Sequence, residues 1–218
     1  MPRRFDLLVF DWDGTLMDSA ACIAASLQAA CRDLSLPVPS ERDARYVIGL
    51  GLKDAMAHIL PALDPAEYPR VSERYRHHFL IGDAATGLFS GTGEMLKELH
   101  EAGHVLAVAT GKSRRGLDRA LEATQVAQYF HATRCADEGH TKPDPGMLYR
   151  LLEETGIGPE RALMIGDTTH DMQMAKAAGM ARLAVAHGAH EICDLLEYEP
   201  LACLSDSAEL RAWLSRNT

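Results

Sequence analysis

Two aspartates stand one residue apart, directly after a short apolar run near the start of the chain. Asp11 comes directly after the run at residues 5–10. Trp12 separates it from Asp13, and Gly14 comes next. Two ionised carboxylates this close repel each other unless a cation lies between them or one of them keeps a proton. A strand that ends in this pair, with a glycine to turn the chain, indicates a metal-assisted active site.

Other polar residues also follow apolar runs farther along the chain. Thr110 follows one such run, Asp167 follows another, and Asp171 comes one helical turn after Asp167. Lys142 stands in a loop that Pro143 stiffens. Because ligands bind outside the carboxyl ends of parallel strands, we expect these side chains to meet. A carboxylate-rich set suits a hard cation such as Mg²⁺, and Lys142 together with the metal would balance the charge of a bound phosphate.

The periodicity of apolar residues predicts an α/β fold. Helices alternate with most of the strands, which implies a Rossmann-like, mainly parallel sheet core with helices on both faces. The predicted strands lie at 5–10, 104–109, 131–135, 162–165, 180–186 and 201–204.

The distance between the first two strands predicts an inserted domain. A βαβ unit needs about 30 residues, but nearly a hundred residues separate these strands, and no convincing strand lies between 17 and 84. Helices are expected there after the capping pair Asp18-Ser19 and near 40–47, 52–60 and 66–81. We therefore predict a helical cap domain at 17–84 and a catalytic core made of 1–16 and 85–218, with two connections that could act as hinges.

Composition limits the classes of partner and location. The chain has 218 residues and a net charge of −9, which argues against binding to nucleic acid or to an anionic membrane. Its five cysteines show no CxxC spacing, which indicates free thiols in a reducing compartment. No apolar segment is long enough to cross a membrane. We expect a soluble, cytoplasmic protein, either a monomer or a weak homodimer.

Four segments together resemble one family. They are Asp11-Trp12-Asp13-Gly14-Thr15, Ala109-Thr110-Gly111-Lys112, Lys142-Pro143-Asp144-Pro145 and Gly166-Asp167-Thr168-Thr169-His170-Asp171. In order and in kind they are similar to the four motifs of the haloacid dehalogenase-like superfamily. The whole pattern looks like the phosphoglycolate phosphatase-like branch, which has a helical cap after its first motif.

This resemblance implies a Mg²⁺-dependent phosphatase that acts on a small phosphorylated metabolite and forms an aspartyl phosphate. Asp11 would be the nucleophile, and Asp13 would protonate the leaving alkoxide and then deprotonate the attacking water. Because dehalogenases and phosphonate hydrolases of this fold lack the acid at the position of Asp13, its presence favours an oxygen leaving group. The implied phosphate-binding groups are Thr110, the Gly111 amide and Lys142. The implied metal ligands are the Asp11 carboxylate, the Asp13 backbone carbonyl, Asp167 and Asp171.

Several alternatives stay open. Asp171 could instead stabilise the N-terminus of its helix, and Lys53 is either a substrate contact from the cap or a solvated lysine. Gly111 stands where this branch often has asparagine, which weakens an assignment to phosphoglycolate itself. Five of the ten histidines are interpreted as surface or packing residues, with His187 able to line the rim; they are His58, His77, His78, His187 and His190. The alternative functions are a phosphomutase of the β-phosphoglucomutase type and a non-catalytic, phosphate-binding regulatory protein.

Overall fold

A six-stranded, fully parallel sheet forms the centre of the molecule. The structure is a computed structural model and describes residues 4–83 and 86–218. The strand order is β3-β2-β1-β4-β5-β6, which is the doubly wound, Rossmann-like arrangement. The expected parallel α/β fold is therefore confirmed. The strands are β1 (Leu7–Phe10), β2 (Val105–Thr110), β3 (Ala132–Cys135), β4 (Ala162–Gly166), β5 (Ala181–Val185) and β6 (Cys203–Leu204).

Alternating side chains of β1 pack on the two faces of this sheet. Leu8 and Phe10 belong to the apolar cluster on one face, whereas Leu7 and Val9 belong to the cluster on the other. All four side chains are fully buried. A continuous apolar run is what a central strand needs when helices cover both faces.

The helices lie between the strands in chain order, and most of them were predicted. Helix α9 was not, because five residues are too few to show a helical period. The helices are α1 (Ala20–Asp33), α2 (Glu41–Tyr46), α3 (Leu52–Ile59), α4 (Tyr68–Asp83), α5 (Thr92–Glu101), α6 (Arg114–Thr124), α7 (Gly146–Thr155), α8 (Thr169–Ala177), α9 (Ile192–Leu196) and α10 (Ser207–Asn217).

Helices α1–α4 share an apolar cluster of their own, separate from the two clusters of the sheet. We call these four helices and their loops the helical insertion, since they lie between β1 and β2. Ile23, Leu27 and Val71 are among the buried members of the cluster. The two connections of the insertion lie side by side, because the Asp18 amide donates to the Gly87 carbonyl over 2.9 Å.

The division of the chain into a core and a cap stays a prediction. Its first boundary, between residues 16 and 17, falls where Met17 forms isolated bridges with Asp13 and Leu88. Its second boundary, at 84–85, lies outside the described residues. None of the helices in the described part of the chain combines the length and apolar character that a membrane crossing requires.

Candidate active site

The carboxyl ends of β1 and β4 bring the first and fourth motifs together. The two strands are neighbours in register, with Phe10 opposite Ile165, and the Asp11 amide donates to the Ile165 carbonyl over 2.9 Å. On the other side of β1, Phe10 lies opposite Val108 of β2, the strand that ends at Thr110. Asp11, Thr110 and Asp167 therefore lie at the carboxyl ends of three neighbouring strands, at one edge of the sheet.

Three carboxylates form a buried cluster at this edge. Asp11, Asp167 and Asp171 each offer an oxygen within 4.8 Å of the others, and all three side chains are buried. The Lys142 ammonium lies 2.7 Å from Asp11 Oδ1 and 2.7 Å from Asp171 Oδ1. Three ionised carboxylates and one ammonium leave two negative charges uncompensated. This is the charge that a divalent cation would balance.

Burial disfavours that negative charge. It raises the pKa of Asp11 well above the usual range, although the attraction of Lys142 opposes the shift. Burial, together with the nearby charge of Asp171, raises the pKa of Asp167 to about 7. Burial alone would lower the pKa of Lys142, but its two carboxylate neighbours outweigh that effect and raise it. In the absence of a cation, Asp11 and Asp167 therefore hold protons more tightly than exposed aspartates do.

The cluster fits a hard divalent cation. Asp11 Oδ2 is buried and has no hydrogen-bond donor among the described residues. Burying a carboxylate oxygen without a hydrogen-bond donor costs free energy, and a metal ion bound to this oxygen would offset that cost. In proteins, Mg²⁺ prefers ligand sets that consist of oxygen atoms only. The side chain of Asp13 points elsewhere, so only its backbone carbonyl, as expected from the resemblance, would join the set.

The structure shows the helix-stabilising alternative for Asp171, whereas its role as a metal ligand stays a prediction. Asp171 Oδ2 accepts from the Thr168 amide at 3.1 Å, and the Asp171 amide donates to Thr168 Oγ1 over 3.3 Å, which together form a capping box at the start of α8. The Thr168 hydroxyl also donates to Oδ2 of Asp171 over 2.7 Å. Its Oδ1 faces Lys142. The helix-stabilising role is therefore present, and the second oxygen stays within the carboxylate cluster.

Two hydrogen bonds fix the orientation of Asp167. The Thr15 hydroxyl donates to its Oδ1 over 2.7 Å, and the Ala189 amide donates to its Oδ2 over 2.7 Å. Gly14 and Gly188 press against the same side chain so closely that a Cβ at either position would overlap the carboxylate. Because neither glycine has a side chain, the Asp167 carboxylate fits between them beside β1.

Asp13 lies outside this cluster and forms a second ion pair, with Lys112. Its Oδ1 accepts from Lys112 Nζ at 2.7 Å and from the Ser19 hydroxyl at 2.6 Å. Helix α1 begins after Ser19, as expected, but the hydroxyl of Ser19 does not cap the helix. The capping expectation is therefore wrong for this side chain, because a charge-assisted hydrogen bond to Asp13 is stronger than a neutral cap.

Lys112 is the site residue that sequence reasoning missed. Besides its pair with Asp13, its ammonium lies 4.7 Å from the centroid of the Phe79 ring on α4. This cation–π contact joins the helical insertion to the sheet and the helices α5–α10, which we call the sheet domain. The only signal in the sequence was its place directly after Thr110-Gly111, which does not say where the side chain points.

Thr110 and Gly111 lie where the second motif predicts, and a loop of the helical insertion covers Gly111. Thr110 is fully buried, and its Oγ1 accepts from the Lys112 amide over 3.2 Å. A Cβ on Gly111 would overlap the backbone carbonyls of Gly49 and Leu50. The glycine is therefore explained by the close approach of this loop.

Lys53 is not part of the carboxylate cluster. It lies near the start of α3 with an exposed side chain and lines a cavity between the helical insertion and the sheet domain. Asp13 lines the same cavity. A substrate contact by Lys53 thus stays a prediction.

Two buried histidines hold the end of α2 against the sheet domain. Nε2 of His170 lies 2.8 Å from the Tyr46 carbonyl, and Nε2 of His190 lies 3.0 Å from the same oxygen. His190 Nδ1 accepts from the Thr169 amide over 3.0 Å, so its proton must be on Nε2. The expectation that His190 is a packing residue is confirmed, and His170 shares this role.

We expect this histidine contact to make stability depend on pH. Burial lowers the pKa of His170 to about 4, so the unfolded chain binds a proton that the folded protein does not bind between about pH 6.5 and 4. The contribution of His170 to the free energy of unfolding is complete above pH 6.5 and decreases as the pH falls. The difference in unfolding free energy between the parent and His170→Gln should therefore shrink by up to about 2 kcal/mol from pH 6.5 to 5.

Urea denaturation at several pH values measures this difference. His131→Gln on the exposed surface is the matched control. A difference for His170→Gln that stays constant from pH 7 to 5 would contradict the prediction.

Comparisons with known proteins agree with the fold and the motifs. A family model described as haloacid dehalogenase-like hydrolase matches residues 8–185. A protein from Dickeya dadantii named "Probable phosphatase IndB" is 37% identical over 211 residues, which cover 94% of this chain and 91% of that protein. A phosphoglycolate phosphatase from Vibrio cholerae is 31% identical over 195 residues, covering 85% of this chain and 86% of that protein.

A solved structure supports the architecture. The crystal structure of a hydrolase from Pseudomonas syringae matches with a TM-score of 0.89 and covers 97% of this chain and 98% of its own. At 20% identity it shows the fold alone. The family match and the two relatives confirm the prediction that the protein is a phosphatase. They also confirm the predicted phosphoglycolate phosphatase-like branch. The chain therefore belongs to the haloacid dehalogenase-like hydrolases.

Proposed function

We propose that this protein is a Mg²⁺-dependent phosphatase that hydrolyses a small phosphorylated metabolite, phosphoglycolate-like in its chemistry, through an aspartyl-phosphate intermediate. The observation that carries the proposal is Asp11, a buried carboxylate with one oxygen that lacks a donor, beside Lys142 and two further carboxylates. A binding protein has no need for a buried nucleophile with this surrounding charge. The relatives named as phosphatases support the same chemistry.

The proposed metal site consists of oxygen ligands at the end of β1 and β4. Asp11, Asp167 and Asp171 would hold Mg²⁺ through their carboxylates, and Asp13 through its backbone carbonyl. When bound, Mg²⁺ would neutralise charge on the phosphoryl oxygens and on the carboxylates.

The protein's own residues would carry out two displacements at phosphorus. In the first, Asp11 attacks phosphorus, the bond to the ester oxygen breaks, and Asp13 donates a proton to the leaving alkoxide. In the second, Asp13 accepts a proton from water, which attacks the aspartyl phosphate and releases inorganic phosphate and the Asp11 carboxylate. Lys142 favours the ionised, nucleophilic form of Asp11 because its ammonium lies 2.7 Å from Oδ1. Thr110, the Gly111 amide and Lys142 would hold the phosphoryl oxygens.

The test measures release of inorganic phosphate from p-nitrophenyl phosphate and a panel of phosphorylated metabolites, with Mg²⁺ and after removal of metal by a chelator. We expect release with Mg²⁺, loss of most activity in the chelator, and recovery when Mg²⁺ is returned. Activity that is unchanged by the chelator would contradict the metal dependence. An isomerised sugar phosphate without net release would indicate the phosphomutase, and no turnover of any ester would indicate the binding protein.

The remaining expectations concern location and association. A cytoplasmic location, a monomer or weak homodimer, and the absence of nucleic-acid or membrane partners stay predictions.

A further inference from the structure

A large cavity separates the helical insertion from the sheet domain. Its volume is about 830 Å³, which falls in the range of about 300–1,000 Å³ that is typical of sites for drug-sized ligands. Asp13 lines the cavity, whereas Asp11, Asp167 and Asp171 do not. Because Asp13 is the proposed proton donor to the leaving oxygen, the leaving group must start beside it. The cavity is the space into which the rest of that group would extend.

One part of the cavity wall is apolar. Its side chains come from α1, from the loop before α3, and from α4, and they include Ile23, Leu27, Val47, Ile48, Leu50 and Phe79. A two-carbon acid would leave most of this surface uncovered. Apolar ligand atoms that are removed from water at this wall would strengthen binding through the hydrophobic effect. The wall therefore favours a leaving group with an apolar body.

Another part of the wall is cationic, which is unexpected in a chain with a net charge of −9. The lysines and arginines that line the cavity are Lys53, Arg76, Lys112, Arg115 and Arg119. They outnumber the acids among the described lining residues, which are Asp13, Asp54 and Asp137.

Each of these three acids already has a hydrogen-bond donor within the protein. Asp13 pairs with Lys112, Asp54 accepts from the Thr141 hydroxyl over 2.6 Å, and Asp137 accepts from the Arg114 amide over 2.9 Å. The lining thus carries more cationic than anionic side chains, and Arg76 on α4 and Arg115 on α6 contribute to this excess, which would attract an anionic group on the substrate.

Building on the phosphatase function proposed above, we infer that the substrate is a phosphomonoester whose leaving group combines an apolar body with a second anionic group. The apolar body contacts the wall formed by α1 and α4. The second anion lies near Arg76 of α4 and Arg115 of α6, away from the scissile bond. Phosphoglycolate has the second anion but lacks the apolar body, so it fills this cavity poorly.

Four esters of unactivated alcohols test the two features independently. Methyl phosphate has neither feature, phosphoglycolate has the second anion, benzyl phosphate has the apolar body, and 4-carboxybenzyl phosphate has both. We expect kcat/KM for 4-carboxybenzyl phosphate to exceed the values for phosphoglycolate and for benzyl phosphate by about tenfold or more each, since discrimination is defined by this ratio. p-Nitrophenyl phosphate is the reference for general phosphatase activity.

Two charge-removing variants locate the second anion. Arg76→Met and Arg115→Met should each lower kcat/KM for 4-carboxybenzyl phosphate by about tenfold, mainly through KM, while the value for benzyl phosphate changes little. Arg70→Met is the matched control, because Arg70 lies on the same helix as Arg76, pairs with Glu67 and does not line the cavity.

The outcomes separate this inference from the function on which it depends. Hydrolysis of p-nitrophenyl phosphate with phosphoglycolate as the best of the four esters, or with no preference among them, would overturn the inference and leave the phosphatase function intact. Equal losses for both benzyl esters in the arginine variants would also overturn it. No phosphate release from any of the five esters in the presence of Mg²⁺ would overturn the proposed function itself.

Discussion

Asp11→Asn should lose phosphatase activity by about 10⁴-fold or more while the protein stays folded. An amide is a poor nucleophile, so the aspartyl phosphate cannot form at a useful rate. The fold should tolerate the change because burial already disfavours the charge of Asp11, and an asparagine oxygen can still accept from the Trp12 amide, which lies 2.6 Å from Oδ1. Phosphate release and a thermal unfolding curve of the same preparation measure the two effects.

The matched control is Asp118→Asn on the exposed surface of α6, which should keep both activity and stability. A folded Asp11→Asn variant with more than about one hundredth of the parent activity would count against Asp11 as the nucleophile. An unfolded variant would instead show that the side chain is needed for stability.

Lys142→Met should destabilise the protein by about 3–5 kcal/mol at pH 8 and abolish activity. Removing one partner of a buried ion pair leaves the other charges uncompensated, and costs of this size are typical. Here the ammonium is the group at ion-pair distance from both Asp11 and Asp171. The variant would leave three neighbouring carboxylates in a buried site.

The penalty of Lys142→Met should depend on pH and on metal. The pKa of Asp167 is raised to about 7 in the folded protein, so the protonated form of this carboxyl stabilises the fold. That contribution is complete below the unfolded-state pKa near 4 and is lost as the pH rises through 7. The destabilisation should therefore be smaller at pH 5.5 than at pH 8, and Mg²⁺ should restore part of it at pH 8. Urea denaturation under these conditions measures it, with the exposed Lys176→Met on α8 as control. Equal penalties at both pH values, with no effect of Mg²⁺, would refute the charge argument.

Sequence patterns predicted the sheet and its polar edge because both depend on local features. A buried parallel strand appears in the sequence as a continuous apolar run. A polar residue such as Asp11, Thr110 or Asp167 marks the end of such a run. The parallel topology then places these ends together. Residues far apart in the chain could therefore be assigned to one site without any knowledge of their contacts.

Contacts between the helical insertion and the sheet domain could not be predicted in this way. The pairs Lys112–Phe79 and His170–Tyr46 join distant segments, and no periodicity encodes which surfaces meet. Ser19 shows a related difficulty, because a good capping residue has a stronger partner in Asp13. Hydrogen bonds of this kind depend on distances that only the folded chain sets.

The contact of Gly111 with the carbonyls of Gly49 and Leu50 has a consequence for how this enzyme could diverge. Any side chain at position 111 would overlap the loop of the helical insertion, so a substitution there requires the loop to move outward. We therefore expect position 111 and residues 49–50 to change together in descendants of this sequence. A directed-evolution library that varies position 111 alone should yield few active clones, and one that varies both segments should recover them.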